Sequence, residues 1–463
     1  MSMDRPDTNP DGGLTIDQLA DATGIAPEVL REWRALGLLT GAGNRFDALD
    51  IERVRLITFV ERRGITAEAI AAASKAQGDM LGDRLDMLPG RDLPRLGRPV
   101  DEAAQAVGLT TEVVRQLWSA LGLDDQPEAY DEDIEALGRL RVALDAGLPE
   151  TALTQIVRVF ADAAGRIAEA ESRLFHYYVH ERFRAHGLTG TDLTTATATV
   201  AEPLIELIEP TLLYFHSKAW ERAQRDDLLV HLTEDTTTPG EVPGNVEATI
   251  LFVDLSGFTP LTEAMGDPAA ASLVERFSHL VRAAAGRHHG TVVKQIGDEF
   301  MLVFTDPTSA VSCGLAIEAA VCAEPQFPAV RQGAHTGRVL YREGDYIGAT
   351  VNVAARVAAE ADRHQLLITP TLRAQATDLD DVTFTPIGAR TLKGIAHPIE
   401  LFDVHPTGDR PLRVIDPVCL MELDPAQCEY QLTWRGTQLY FCSQECLTRF
   451  VAAPETHRAP PPP

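Results

Sequence analysis

From the N-terminus, apolar residues recur first at helical spacing and later at strand spacing. In TIDQLADATGIAPEVLREWRALGL (15–38) they return every three or four positions on either side of Gly24, which predicts a helix, a tight glycine turn and a second helix. PVDEAAQAVGLTTEVVRQLWSALGL (99–123) repeats the pattern about 84 residues later, with Gly108 and Trp118 standing for Gly24 and Trp33. Each copy continues through an aromatic–Asp turn into a further helix ending in glycine, NRFDALDIERVRLITFVERRG and EAYDEDIEALGRLRVALDAG. From 151 to 232 apolar stripes persist (Leu153, Ile156, Val157, Phe160, then Leu204, Leu207, Ile208, Leu212, Leu213) and predict long packed helices. HLTEDTTTPGEVPGN breaks that period and predicts a linker at 233–245. The segment 246–405 alternates strand-like and helix-like stretches. A second linker is expected at 406–414, a small Cys-rich module at 415–457 and a disordered tail, RAPPPP, at 458–463.

Composition narrows the picture. A chain of 463 residues suggests about three folded units. A hydrophobic fraction of 45% and a charged fraction of 24% exclude wholesale disorder. Lys+Arg 41 against Asp+Glu 68 leaves a net charge of −27, which excludes nonspecific affinity for nucleic acid or anionic lipid. No apolar run approaches the roughly 18–20 residues that span a bilayer, and MSMDRPDTNPDGG lacks the pattern of a signal peptide, so the expected compartment is the cytoplasm. The only lysines are Lys75, Lys218, Lys294 and Lys393. Where Arg is the default cation, a Lys marks a place suited to a compact point charge. Cys419, Cys428, Cys442 and Cys446 crowd the C-terminal end, away from Cys313 and Cys322; in a reducing compartment this points to metal or redox chemistry before disulfides.

Two carboxylates carry the strongest chemical signal. ATILFVDLSGFTPL delivers Asp254 at the end of an apolar strand, where a carboxylate is costly unless paired. GTVVKQIGDEFMLVF predicts a hairpin with Asp298 at its tip. Together they form a hard-oxygen site suited to Mg²⁺ or Mn²⁺; singly, each has a plainer reading, Asp298 as a turn residue. Asn352 and Arg356, four apart in VNVAAR, share a helical face.

VDLSGFT, VVKQIGDEF, GDYIGATVNVAARV and RTLKGIAHPIELFDV occur in order across 246–405, and the segment resembles the catalytic domain of class III nucleotidyl cyclases. The resemblance implies an α+β, ferredoxin-like fold. It assigns Asp254 and Asp298, with the Leu255 carbonyl, to two Mg²⁺ or Mn²⁺ ions per active site. It assigns Asn352 to the ribose, Arg356 to the α-phosphate and Lys393 to the triphosphate. Lys294 and Asp345 match the purine-reading pair: Lys donates to adenine N1 and Asp accepts from its N6 amino group, whereas guanine reverses both polarities. Guanylate-specific members tend to carry Glu and Cys or similar residues there. The implied reaction is ATP to 3′,5′-cyclic AMP and pyrophosphate. The family draws metal aspartates from one protomer and the other groups from its partner, so a homodimer is implied.

The flanking regions carry their own resemblances. Residues 1–90, with RFDALDIERVRLI and RRGITAEAI, resemble the winged helix-turn-helix of MerR regulators. The whole α-helical region, including 91–232, is similar to the regulatory domain ahead of some actinobacterial adenylate cyclases. Arg31 and Arg34 stand where a recognition helix presents cations, but residues 1–90 hold 10 Lys and Arg against 15 Asp and Glu, so DNA is not the expected partner. The C-terminal module resembles a YHS domain through Asp416, Pro417, Cys419, Met421, Tyr440, Phe441, Cys442, Cys446 and Phe450. Cys419, Cys442 and Cys446 form either a soft-metal site for Zn²⁺ or Cu⁺ or incidental thiols of an aromatic core; Cys428 lies outside the pattern. Five histidines (His176, His180, His186, His216, His231) gather ahead of the first linker, with Glu181 and Glu206 as candidate partners, and suggest a response to mild acid. Two rivals to an adenylate cyclase are a guanylate cyclase, opposed by Lys294 and Asp345, and a metal-responsive DNA-binding regulator with a vestigial catalytic domain, opposed by the intact site residues.

Overall fold

The computed structural model describes residues 13–41, 45–85, 97–123, 128–233, 244–324, 327–377, 379–408, 413–419 and 421–457. Most of the expected first linker, part of the second and the whole expected tail lie outside the described residues. The chain forms two compact units, Met1–Thr237 and Thr238–Pro463.

The first unit is helical, and its helices recur along the chain. Ile16–Thr23, Pro27–Ala35, Ala48–Glu61 and Ala67–Gln77 are followed by Val100–Ala106, Thr111–Ala120, Asp131–Asp145 and Glu150–Phe175, with nearly constant offset. Thr15 and Gln18 form a capping box on the first helix, and Gly24, at φ 69°, closes it. Leu19, Leu30, Trp33, Phe46 and Ile57 bury themselves in one copy; Val114, Leu117, Trp118 and Leu137 do so in the other. Glu150–Phe175 then runs through a π-helical turn, His176–His180, into Glu181–Ala185 and the 44-residue helix Gly190–Thr233, which contains Pro203 and Pro210. Here the expectation of packed helices is only partly met. Leu153 and Val157 are buried, but Ile156, Phe160, Leu204, Leu207, Leu212 and Leu213 are exposed within the single chain. The apolar period specifies a sticky face; what covers it need not come from the same chain.

The second unit is built on an eight-stranded sheet. Its first half follows the order strand, helices, hairpin, helix, strand: β1 (Asn245–Leu255), α1 (Phe258–Met265), α2 (Asp267–Arg287), β2 (Thr291–Ile296), β3 (Glu299–Phe304), α3 (Pro307–Ala323) and β4 (Val330–Arg342). These strands lie in the order β4-β1-β3-β2, the ferredoxin-like arrangement. After β5 (Asp345–Ile347), which pairs β4, come α4 (Ala349–Glu360), β6 (Gln365–Ile368), β7 (Val382–Arg390) and β8 (Ile399–Pro406). β6 lies parallel to β4, and β8 and β7 extend the sheet beyond it.

β1 is buried on both faces. Leu251, Val253 and Leu255 enter the core shared with α2 and α3, while Ala248, Ile250 and Phe252 face α4. The approach of α4 depends on Gly333 of β4: a Cβ there would lie 2.0 Å from the Ala358 nitrogen. The C-terminal module adds β9 (Val414–Ile415), β10 (Glu422–Leu423), β11 (Tyr430–Trp434), β12 (Thr437–Phe441) and α5 (Gln444–Ala452). Leu423, Leu439, Phe441 and Phe450 are continuous with the core under α3, so this module and the sheet share apolar interior.

Candidate active site

Asp254 occupies the end of β1, following Phe252 on the face toward α4, and is buried with 8% exposure. Asp298 sits in the two-residue loop between β2 and β3. Gly297 supplies the positive φ, 64°, that such a hairpin loop needs at its first position. The carboxyl of Asp298 hydrogen-bonds that of Asp254 and accepts from the Leu255 backbone N–H. Burial first, then this bond and the charge of Asp254, push Asp298 up to about 7. Two carboxyls close enough to share a proton form an all-oxygen donor set that a divalent cation would satisfy once the proton leaves.

Sequence reasoning missed a third member, Arg331. It is the second residue of β4, directly opposite Asp254 in the β1–β4 register, and its guanidinium grips one Asp254 oxygen through Nε, at 2.8 Å, and a terminal nitrogen. Glu299, next to Asp298, is raised by burial and by Asp254, with Arg331 and Lys294 opposing. The signal available in the sequence was weak, because Arg331 is one of three arginines in the strand, with Arg338 and Arg342.

Lys294 on β2 and Asp345 on β5 meet across 51 residues of sequence in an ion pair of 2.5 Å. Asp345 also accepts from the Tyr346 amide at 2.8 Å, which orients the carboxylate. Asn352 and Arg356 lie exposed on the same face of α4, while Val353, Ala354, Val357 and Ala358 bury the opposite face. Lys393 is exposed in the turn before β8, beside the buried Leu392.

In the C-terminal module, Cys419 and Cys446 are buried and Cys442 half-buried, with Cys442 Sγ 3.5 Å from Cys419 Sγ and 3.6 Å from Cys446 Sγ. All six cysteines are free thiols. Asp416, fully buried, accepts from the backbone amides of Val418 and Cys442 at 2.8 Å and of Cys419 at 3.4 Å. Its oxygens thus fix the two segments that present the thiols. Hydrogen bonds from Cys419 and then Cys442 pull Cys446 far below the ordinary thiol range, and the same bonds push Cys419 up. Three converging thiols are a donor set that soft metals accept.

In the first unit, the His176 and His180 rings stack at 5.2 Å, and His176 Nε2 lies 3.6 Å from Glu181 Oε1. Glu206 is exposed on its helix, and the side chain of His231 lies outside the described residues.

Three domain families match in order: the adenylate cyclase regulatory domain over 35–215, the adenylate and guanylate cyclase catalytic domain over 242–405, and the YHS domain over 414–458. An uncharacterized protein of Mycobacterium tuberculosis is 31% identical over 378 residues, covering 78% of this chain and 94% of that protein. The pH-sensitive adenylate cyclase of Mycobacterium tuberculosis is 27% identical, covering 76% and 88%. An adenylate cyclase of Streptomyces coelicolor is 28% identical, covering 70% and 85%. With a ferredoxin-like sheet, paired aspartates at its strand ends and these matches along most of its length, the chain belongs to the class III adenylate and guanylate cyclases that carry a helical regulatory domain.

Proposed function

We propose that the protein converts ATP to 3′,5′-cyclic AMP and pyrophosphate at a homodimer interface, under control of its helical N-terminal region. The observation that carries the choice of substrate is the Lys294–Asp345 pair, which holds a donor cation beside an acceptor carboxylate. Adenine offers the matching acceptor N1 and donor N6 amino group. Guanine would leave both protein groups facing like polarity in a partly buried site.

Asp254 and Asp298, with the Leu255 carbonyl, would hold two Mg²⁺ or Mn²⁺ ions. Such ions supply activation of the ribose 3′-oxygen and charge neutralisation on the departing pyrophosphate. The remaining work belongs to the chain itself. Asn352 orients the ribose, and Arg356 stabilises charge on the α-phosphate. Lys393 takes the triphosphate, and Arg331 holds the Asp254 carboxylate in place through Nε and a terminal nitrogen. The 3′-oxygen bonds to the α-phosphorus, the bond to the bridging oxygen breaks, and the hydroxyl proton passes to water. Arg356 and Asn352 face outward in one protomer, and the exposed apolar stripe on Gly190–Thr233 supports a second copy as the missing cover.

The thiols at Cys419, Cys442 and Cys446 support a Zn²⁺ or Cu⁺ site, and free cysteines throughout suit the reducing cytoplasm. Among the described residues no helix is long and apolar enough to cross a membrane. DNA is not a partner in this reading: Arg31 is ion-paired to Glu28 at 3.4 Å, and Arg34 lies 5.3 Å from the Phe46 ring centre. Incubating the purified chain with ATP or GTP plus Mn²⁺, with products identified by mass, tests the proposal. Cyclic AMP is expected as the principal product; principal formation of cyclic GMP would refute the base assignment.

The stacked His176–His180 pair supports acid as one controlling input, because protonating both rings places like charges in contact. The pH–activity profile of the full chain should therefore differ between about pH 5.5 and 8 from that of a chain beginning at Pro243. Superimposable profiles would remove these histidines from the regulation.

A further inference from the structure

Where the sheet meets the YHS module, three side chains of metal-ligating type converge outside the active site. Glu318 and Cys322 lie one turn apart on α3 and share a face. His364 enters from the turn between α4 and β6, held at φ 57°, with its backbone N–H donating to the Val330 carbonyl at 2.7 Å. Cys322 Sγ lies 3.4 Å from Glu318 Oε1 and 3.7 Å from His364 Nδ1. His364 Nδ1 lies 2.5 Å from the same Glu318 oxygen. All three are partly buried, and Cys322 and His364 line a cavity of about 500 Å³ that Asp424, Cys428 and Cys442 also line.

The other Glu318 oxygen, Oε2, is buried without a hydrogen-bond partner. An imidazole bonded to Oε1 leaves that oxygen unsatisfied, which is costly; a cation bound by the carboxylate compensates the whole group. The geometry is also suitable. Tetrahedral zinc, with bonds of about 2.0 Å to N or O and about 2.3 Å to S, places its ligand atoms about 3.3–3.7 Å apart. Both sulfur separations already lie there, and the imidazole–carboxylate separation must open by less than about 1 Å.

We propose that Glu318, Cys322 and His364 form a binding site for a borderline-soft divalent cation of the zinc class, with the fourth coordination position facing the cavity. The thiolate and imidazole select against Mg²⁺, and one thiolate plus one carboxylate balance a charge of two. Binding displaces the Cys322 thiol proton to solvent. The site is separate from Cys419, Cys442 and Cys446, so the junction between catalytic domain and YHS module is itself metal-responsive.

The test uses the full chain, stripped by chelator, held in excess Mg²⁺ to occupy the carboxylate site, and titrated with Zn²⁺. Native alkylation of each cysteine is followed by mass spectrometry. Zn²⁺ should slow alkylation of Cys322 at least roughly tenfold, because a metal-bound thiolate is withdrawn from reaction. In Glu318→Gln and His364→Asn that protection should vanish or require roughly 10- to 100-fold more Zn²⁺, while Cys419, Cys442 and Cys446 respond as in wild type. Asn is chosen at 364 because it tolerates the left-handed backbone. Equal alkylation of Cys322 with and without Zn²⁺ in the wild-type chain overturns the site, with no variant required to fold. Undiminished protection in both variants overturns it equally.

Discussion

The paired aspartates and the cysteine triad solve one problem with opposite electrostatics. Each packs like ionisable groups within hydrogen-bonding distance of one another. At Asp254 and Asp298 the crowding holds a proton on, raising Asp298, while Arg331 grips an oxygen of Asp254. At Cys419, Cys442 and Cys446 the neighbouring thiols act as donors and draw a proton off Cys446. Cys419 and Cys442 are pushed up in compensation, so the thiol cluster concentrates its acidity on one sulfur. The same crowding therefore yields a hard site whose second carboxyl holds its proton and a soft site in which Cys446 is the thiol drawn toward ionisation.

That contrast can be broken in several places. The largest effect should come from Asp298→Ala, which removes one of two carboxylates from the hard site. Cyclisation should fall by roughly a thousandfold or more, since the lost electrostatic stabilisation is worth several kcal/mol, with dimer and thiol chemistry intact. Substantial turnover in a steady-state assay would end the assignment. Next, Asp254→Ala and Arg356→Ala, each inactive alone, should regain activity on mixing, because each heterodimer rebuilds one complete site. Verified heterodimers without activity would contradict shared sites. A smaller change follows Lys294→Glu with Asp345→Cys: the ATP over GTP ratio of kcat/KM should drop at least roughly tenfold, as expected when buried polar contacts are inverted. An unaltered ratio would show that the pair does not select the base.

The smallest effects are in stability, and here the two clusters should answer pH with opposite signs. Asp298 is raised, so without metal its ionisation destabilises the fold as pH climbs from about 4 to about 7. In chelator, Asp298→Asn should raise Tm most above pH 7 and not at all near pH 4. Cys446 is lowered, so its contribution is full above the ordinary thiol range and shrinks as pH falls. Cys446→Ser should lower Tm most in alkali. Melting curves with the same pH slope for both variants would defeat the comparison.

Much of this was legible in the sequence because it rests on local pattern. The alternation around Gly297 and Asp298 dictates a hairpin with an acid at its tip, and the repeated Gly24 and Gly108 turns dictate paired helices. What stayed hidden was set by strand order. Arg331 meets Asp254 only because β4 pairs β1, and His364 reaches Cys322 across 42 residues only because β6 runs parallel to β4. Apolar periodicity found the Gly190–Thr233 helix but could not say that Leu207 and Leu213 would be left exposed by their own chain.

Pro203 and Pro210 have a mechanical consequence for that helix. Each removes the amide that would bond the carbonyl four residues earlier, at Thr199 and Glu206, and bends the axis away from its own ring. Seven residues is nearly two full turns, so both bends fall on almost the same side and add instead of cancelling. A rod of about 65 Å thus carries two weak points on one side, which leave it stiff to stretching and compliant to flexing in one plane. Load applied at one end of the helix would be taken up as curvature at these two points before it became rotation.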